Sequence, residues 1–156
     1  MELSEEQKAV SAALKFLSVR PRSVSEMAKK LKLKKYSPGA IEEALETLKK
    51  QGFLDDEKFA KTFADSSLRS RSAGRRKLKF DLKQKGLAED VIERTLGGLK
   101  DYDETEIVRE LVAKRMRTMT GVPEQARRRR IFGFLQRRGY SSEVIFKALD
   151  LHDENG

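Results

Sequence analysis

The chain has 156 residues, 38% of them apolar and 38% charged, with a formal charge of +9 and no cysteine. This leaves room for one ordinary domain or a few small units sharing a core, and it excludes disulfides and thiolate metal sites. So high a charged fraction implies much surface per residue, and the basic excess makes a polyanion the first partner to consider.

The opening segment, Met1 to Gln7, has no basic-then-apolar signal pattern, and no later stretch is apolar for long enough to span a bilayer. A cytoplasmic location and no membrane partner are therefore expected. Ala9, Ala12, Ala13, Phe16 and Leu17 then fall at i, i+3, i+4, i+7 and i+8, a single helical stripe. Val24, Met27, Ala28 and Leu31 repeat that spacing. Ser23-Val24-Ser25-Glu26 fits a capping box, in which the serine oxygen and the glutamate satisfy free backbone N–H groups. Ile41, Ala44, Leu45 and Leu48 mark a third helix, entered through Ser37-Pro38, where the proline's fixed φ suits a first turn. Ala60, Phe63, Ala64, Ser67 and Leu68 follow, then Leu78 with Leu82, then Val91, Ile92 and Leu96. Val108, Leu111, Val112, Arg115 and Met116 open the last group, which continues past a longer loop around Thr118–Val122. No stretch alternates with period two for long enough to suggest a strand.

These helices are one unit written three times. Leu82-x-x-x-Gly86-Leu87-x-x-x-Val91-Ile92-x-x-x-Leu96 matches Leu135-x-x-x-Gly139-Tyr140-x-x-x-Val144-Ile145-x-x-x-Leu149 at a constant offset of 53. Shifting back by 51 gives Leu31, Tyr36, Ala40, Ile41 and Leu45, with Lys35 in place of the glycine. Gly86 and Gly139 stand where a helix ends in a left-handed residue. The expected fold is all-α: three tandem three-helix repeats, at residues 1–54, 55–101 and 102–156. Each buries too little alone, so neighbours pack into an elongated, curved body.

Chemistry is hard to find. Asp55-Asp56-Glu57 resembles the start of a metal site, but three acids in a row point in different directions, and acids suit a helix start. His152 is the only histidine and cannot build a zinc site without cysteine. Gly97-Gly98 lacks the Lys-Ser/Thr of a phosphate loop. Neither catalysis nor a cofactor is expected.

The basic residues are more informative. Lys+Arg exceed Asp+Glu by 4 in residues 1–54, by 4 in 55–100 and by 1 in 101–156. Within the last segment, residues 109–138 still carry ten basic residues against Glu110 and Glu124. In the second repeat the candidate contacts for phosphate or an acidic partner are Arg71, Arg75, Arg76, Lys79, Phe80 and Lys83. In the third they are Arg127, Arg128, Arg129, Arg130, Arg137 and Arg138. Arg75-Arg76-Lys77 aligns with Arg128-Arg129-Arg130, whereas the first repeat has Val24-Ser25-Glu26 there, so the basic face is assigned to the second and third repeats. Cations at a helix N-terminus oppose the macrodipole, which points to a partner. Phe80 lies two residues from both Leu78 and Leu82, about 200° around the helix. It faces away from its own core, toward a neighbouring repeat or a partner. Phe132 and Phe134 are expected to widen the core of the third repeat.

With the repeats in view, the chain resembles the RecX family of bacterial recombinase regulators almost end to end. The resemblance rests on Gly52-Phe53-Leu54-Asp55-Asp56-Glu57-Lys58-Phe59-Ala60, on Gly74-x-x-x-Leu78-x-x-x-Leu82-x-x-x-Gly86-Leu87, and on Arg20-Pro21-Arg22-Ser23. Arg75 stands where the family often has proline. The resemblance implies a three-repeat helical protein that binds the RecA filament along its groove and inhibits its ATPase, strand-exchange and coprotease activities. It also implies a part in recombination and repair, and contact with single-stranded DNA directly or through the filament. A monomer is expected. The rival reading is a helix-turn-helix transcriptional regulator, against which the helices lack Asn/Gln readers beside the arginines. An RNA-associated helical protein is a third reading.

Overall fold

A computed structural model describes residues 2–70, 73–99 and 103–155. Among them are nine helices and no strand: α1 (Glu5–Val19), α2 (Val24–Leu33), α3 (Pro38–Lys50), α4 (Asp56–Arg69), α5 (Arg75–Gln84), α6 (Glu89–Gly97), α7 (Glu104–Thr118), α8 (Glu124–Arg137) and α9 (Ser142–Asn155). The chain divides into two compact units, Met1–Phe63 with Leu82–Thr95, and Ala64–Asp81 with Leu96–Gly156. The divisions fall inside α4, α5 and α6.

In the first unit, α1 and α2 pack on α3. The predicted stripes turn inward, burying Ala9 and Ala13 of α1, Met27 and Leu31 of α2, and Ala44 and Leu48 of α3. Alanine at i and i+4 on α1 lets the helix approach its neighbours closely. Ser4 and Ser23 both form capping boxes, the first with Gln7 and the second with Glu26. Ser37 caps α3 through the Ala40 N–H. Each such cap is worth about 1 kcal/mol.

The same unit holds a joint between repeats. The α2 N-terminus meets the turn that ends α5: the Ser23 hydroxyl donates to the Lys85 carbonyl at 2.6 Å, and the Val24 N–H donates to Asp56 at 2.9 Å. Gly86 has φ of +79°, and a Cβ there would lie 2.3 Å from the Ser25 hydroxyl oxygen. Glycine is thus required twice, for the left-handed turn and for the close approach.

The second unit builds the same joint one repeat later. Gly74 N–H donates to the Arg138 carbonyl at 2.7 Å and Arg76 N–H to the Gly139 carbonyl at 3.2 Å. Arg75 N–H donates to Glu104 at 2.8 Å. Here Gly139 takes φ of +90°, and its Cβ would fall 2.2 Å from the Lys77 nitrogen. Asp56 and Glu104, at the starts of α4 and α7, play matching parts. Lys35 follows α2 in the first repeat and takes φ of +67° with an exposed side chain. Its turn is left-handed, as at Gly86 and Gly139, but its side chain stands in solvent. The core of this unit gathers Val108, Val112 and Met116 of α7, Ile131 and Leu135 of α8, and Tyr140, Ile145 and Leu149. Phe132 and Phe134 pack against its edge half-buried, not inside it.

Candidate partner-binding surface

Leu78 and Leu82 of α5 are fully buried, which turns the opposite side of the helix outward. Arg76, Lys79, Phe80 and Lys83 are all exposed, Phe80 at 59%. The choice left open by the sequence, neighbour or solvent, falls to solvent. Among the described residues Arg76 and Lys79 form no ion pair, and the Lys83–Glu89 pair spans 4.0 Å with both side chains at least half exposed. Such a pair contributes little. The result is an aromatic ring rimmed by cations.

The other candidates separate by role. Arg75 is drawn inward: its backbone binds Glu104 and its guanidinium donates to the Leu99 carbonyl. The positive end of α5 is therefore met by Glu104 and by carbonyl oxygens, which accounts for a cation there without an outside partner. Arg128 is held by Asp150 at 3.0 Å and by Asp153. Arg127 is half-buried in a cleft with Met116, Glu124 and His152. Arg138 lies 4.4 Å from the Phe134 ring centre and Arg115 lies 3.6 Å from it. Arg129, Arg130 and Arg137 remain exposed. Arg71 lies outside the described residues.

Sequence reading missed one grouping. Arg69 of α4, Lys114 and Arg117 of α7 and Arg138 after α8 line one cleft with Glu110. Each helix contributes only one or two of these, so no linear block announces them. The density of cations in residues 109–138 was the only signal.

The acidic run has three separate partners. Asp55 accepts from the Lys58 N–H, Asp56 from Val24, and Glu57 pairs with Arg94, which raises that guanidinium's pKa. Among the described residues no group of three His, Cys, Asp or Glu side chains is placed to hold a metal ion, and no helix is long and apolar enough to cross a membrane. Burial pushes the Glu26 carboxyl up, but the Arg20 hydrogen bond, the Ser23 N–H and the charges of Lys85 and Arg20 outweigh it and hold it below the usual range.

The nine helices among the described residues, grouped by threes and joined end to turn, define an all-helical protein of three-helix domains. Three such domains of RecX match in order: the first over residues 9–53, the second over 55–96 and the third over 101–149. Regulatory protein RecX of Chlorobium phaeobacteroides is 33% identical over 147 residues, covering 94% of this chain and 95% of its own. The same-named protein of Streptomyces coelicolor is 30% identical over 153 residues, covering 96% and 81%. The fold is similar to the crystal structure of RecX from Lactobacillus salivarius, with a TM-score of 0.82 at 21% identity over 96% of this chain and 97% of that one. It is also similar to a crystal structure of regulatory protein RecX, with a TM-score of 0.83 at 27% identity over 94% and 73%. The chain belongs to the RecX family of regulatory proteins.

Proposed function

We propose that this protein binds a RecA-type recombinase filament on single-stranded DNA and inhibits its ATP hydrolysis, strand exchange and coprotease activity, so acting in recombination and DNA repair. The observation that carries the reading is the α5 face, an exposed Phe80 among Arg76, Lys79 and Lys83. An aromatic anchor within a cationic rim suits an acidic partner surface. The exposed Arg129, Arg130 and Arg137 of α8 extend the cationic character into the third repeat. A major-groove reader presents the N-terminal end of a helix to the bases. In α2 and α5 those ends are occupied by the turns at Gly86 and Gly139, which favours the filament over sequence-specific duplex binding. The protein acts in the cytoplasm as a monomer, without catalysis or cofactor, through three repeats at 1–54, 55–101 and 102–156.

The test is the ATPase rate of a cognate recombinase on single-stranded DNA with and without this protein. A slower rate is expected. An unchanged rate at saturating protein would remove the reading.

A further inference from the structure

Three of the protein's aromatic rings are covered by its own cations. Phe16 has the charges of Arg22, Lys30 and Lys34 at 5.5, 5.6 and 6.0 Å from its centroid. Phe63 has Lys85 at 5.7 Å, and Phe134 has Arg115 and Arg138. A ring face attracts cations, and a chain with 34 Lys and Arg supplies them readily. The stack of Phe132 on α8 and Phe146 on α9, with centroids 4.8 Å apart at 27°, is left open. Among the described residues no cation stands over either ring. With one face against Phe132, Phe146 turns the other to solvent and is 50% exposed.

This stack is peculiar to the third repeat. At the matching positions the second repeat has Lys79 and Glu93, and the first has Ala28 and Glu42. Phe132 packs against the edge of the core, which accounts for it. Phe146 adds a ring where the other repeats keep a glutamate. Charge around it is the reverse of the chain's. In a protein of net charge +9, α9 carries Glu143, Asp150, Asp153 and Glu154 against Lys147 alone. Glu143, Phe146, Asp150 and Asp153 follow at i, i+3, i+7 and i+10, on one face of the helix. Arg128 bridges Asp150 and Asp153, so one positive charge is shared by two carboxylates. Glu143 is exposed and forms no ion pair among the described residues.

We infer that Phe146, backed by Phe132 and flanked by Glu143 and Asp150, docks an arginine side chain of a protein partner. A guanidinium lies flat on a ring face and forks onto a carboxylate, which a compact ammonium does not do. The same carboxylates repel phosphate and acidic segments. The inference does not rest on the recombinase reading and is tested without a recombinase.

The measurement is an amide NMR titration of the full chain with a short peptide of alternating arginine and alanine at physiological ionic strength. Saturable shifts at the Glu143 and Lys147 amides are expected. A chain of +9 repels a cationic peptide through its net charge, so binding has to be local. Phe146→Leu keeps an apolar side chain but removes the ring, and weakens binding by about fivefold, the worth of an exposed cation–π contact. Glu143→Gln weakens it by about threefold, as for an exposed ion pair. The control is Phe53→Leu: that ring is as exposed, at 53%, but the nearby Asp56 and Glu57 are taken by Val24 and Arg94. It leaves binding unchanged, and thermal unfolding shows each variant to be folded. No saturable shift on α9, full binding by Phe146→Leu, or equal weakening by Phe53→Leu would overturn the site. Larger shifts at these amides with a glutamate–alanine peptide or an oligodeoxythymidylate would overturn the class of partner. If the shifts follow protein concentration with no peptide present, a second copy covers the face and the inference fails.

Discussion

Gly121 and Gly139 share a left-handed backbone, with φ of +80° and +90°, but not a neighbourhood. A Cβ at 121 meets nothing within 4 Å, whereas at 139 it would overlap the backbone of Lys77. Alanine at 121 therefore costs only the left-handed penalty, about 1–2 kcal/mol. At 139 the overlap is added, and relief requires lifting the turn off α5. Gly139→Ala is expected to lower Tm by several degrees more than Gly121→Ala, since about 1 kcal/mol moves a chain of this size by roughly 2–4 °C. Equal shifts by calorimetry would refute the close approach. At the other joint, Glu26 is ionised below its ordinary value of 4.5. A lowered folded pKa gives stability that is present above the unfolded value and lost as pH falls through the folded one. Glu26→Gln should be less stable than wild type at neutral pH, with the gap closing on acidification below the ordinary value. Urea midpoints measured across that window check this, and a constant gap would place the effect elsewhere.

The second repeat's middle helix has a buried and an exposed side. Leu78 and Leu82 hold it in the fold, while Arg76, Phe80 and Lys83, at i, i+4 and i+7, share the exposed side. Arg76→Glu, Phe80→Ala, Lys83→Glu spares the buried leucines, the joint and Gly86, so its thermal unfolding should match wild type. The inhibition of a recombinase filament proposed above should fall by at least tenfold, because two charges proposed to attract the partner become repulsive and the proposed anchor is removed. A stable variant that inhibits fully would show this face to be merely solvated. All of these positions are visible in sequence, because helical periodicity fixes direction. What periodicity cannot give is a neighbour distant in sequence. The oxygens that receive α5 are the carbonyls of Arg138 and Gly139, and a carbonyl has no letter in the sequence. Arg128 reads as an open cation until folding brings Asp150 and Asp153 to it. Phe16 reads as core, and the three cations over it arrive from the following loop and helix.

Three repeats with excess charges of 4, 4 and 1 do not present three equal faces to a partner. The α5 surface is single, since the first repeat has Lys29 where the second has Phe80 and the third has Gly133. One molecule thus has one aromatic ring at this helix position, and an anchor proposed there suits blocking a filament at few places better than coating every subunit. The ATPase inhibition proposed above should accordingly reach half its maximum at well below one molecule per recombinase subunit. Titration at fixed recombinase gives that ratio directly, and a midpoint near one per subunit would exclude action at sparse sites.

The first turn of a helix is normally its loosest part, because its N–H groups lack partners within the helix. In α2 and α5 that relation is inverted. The amides of Val24, Arg75 and Arg76 are bonded to the start or the end of helices far along the chain. These protons cannot be surrendered by fraying. They exchange with solvent only when one repeat parts from the next, so their lifetimes measure the opening of the joint itself.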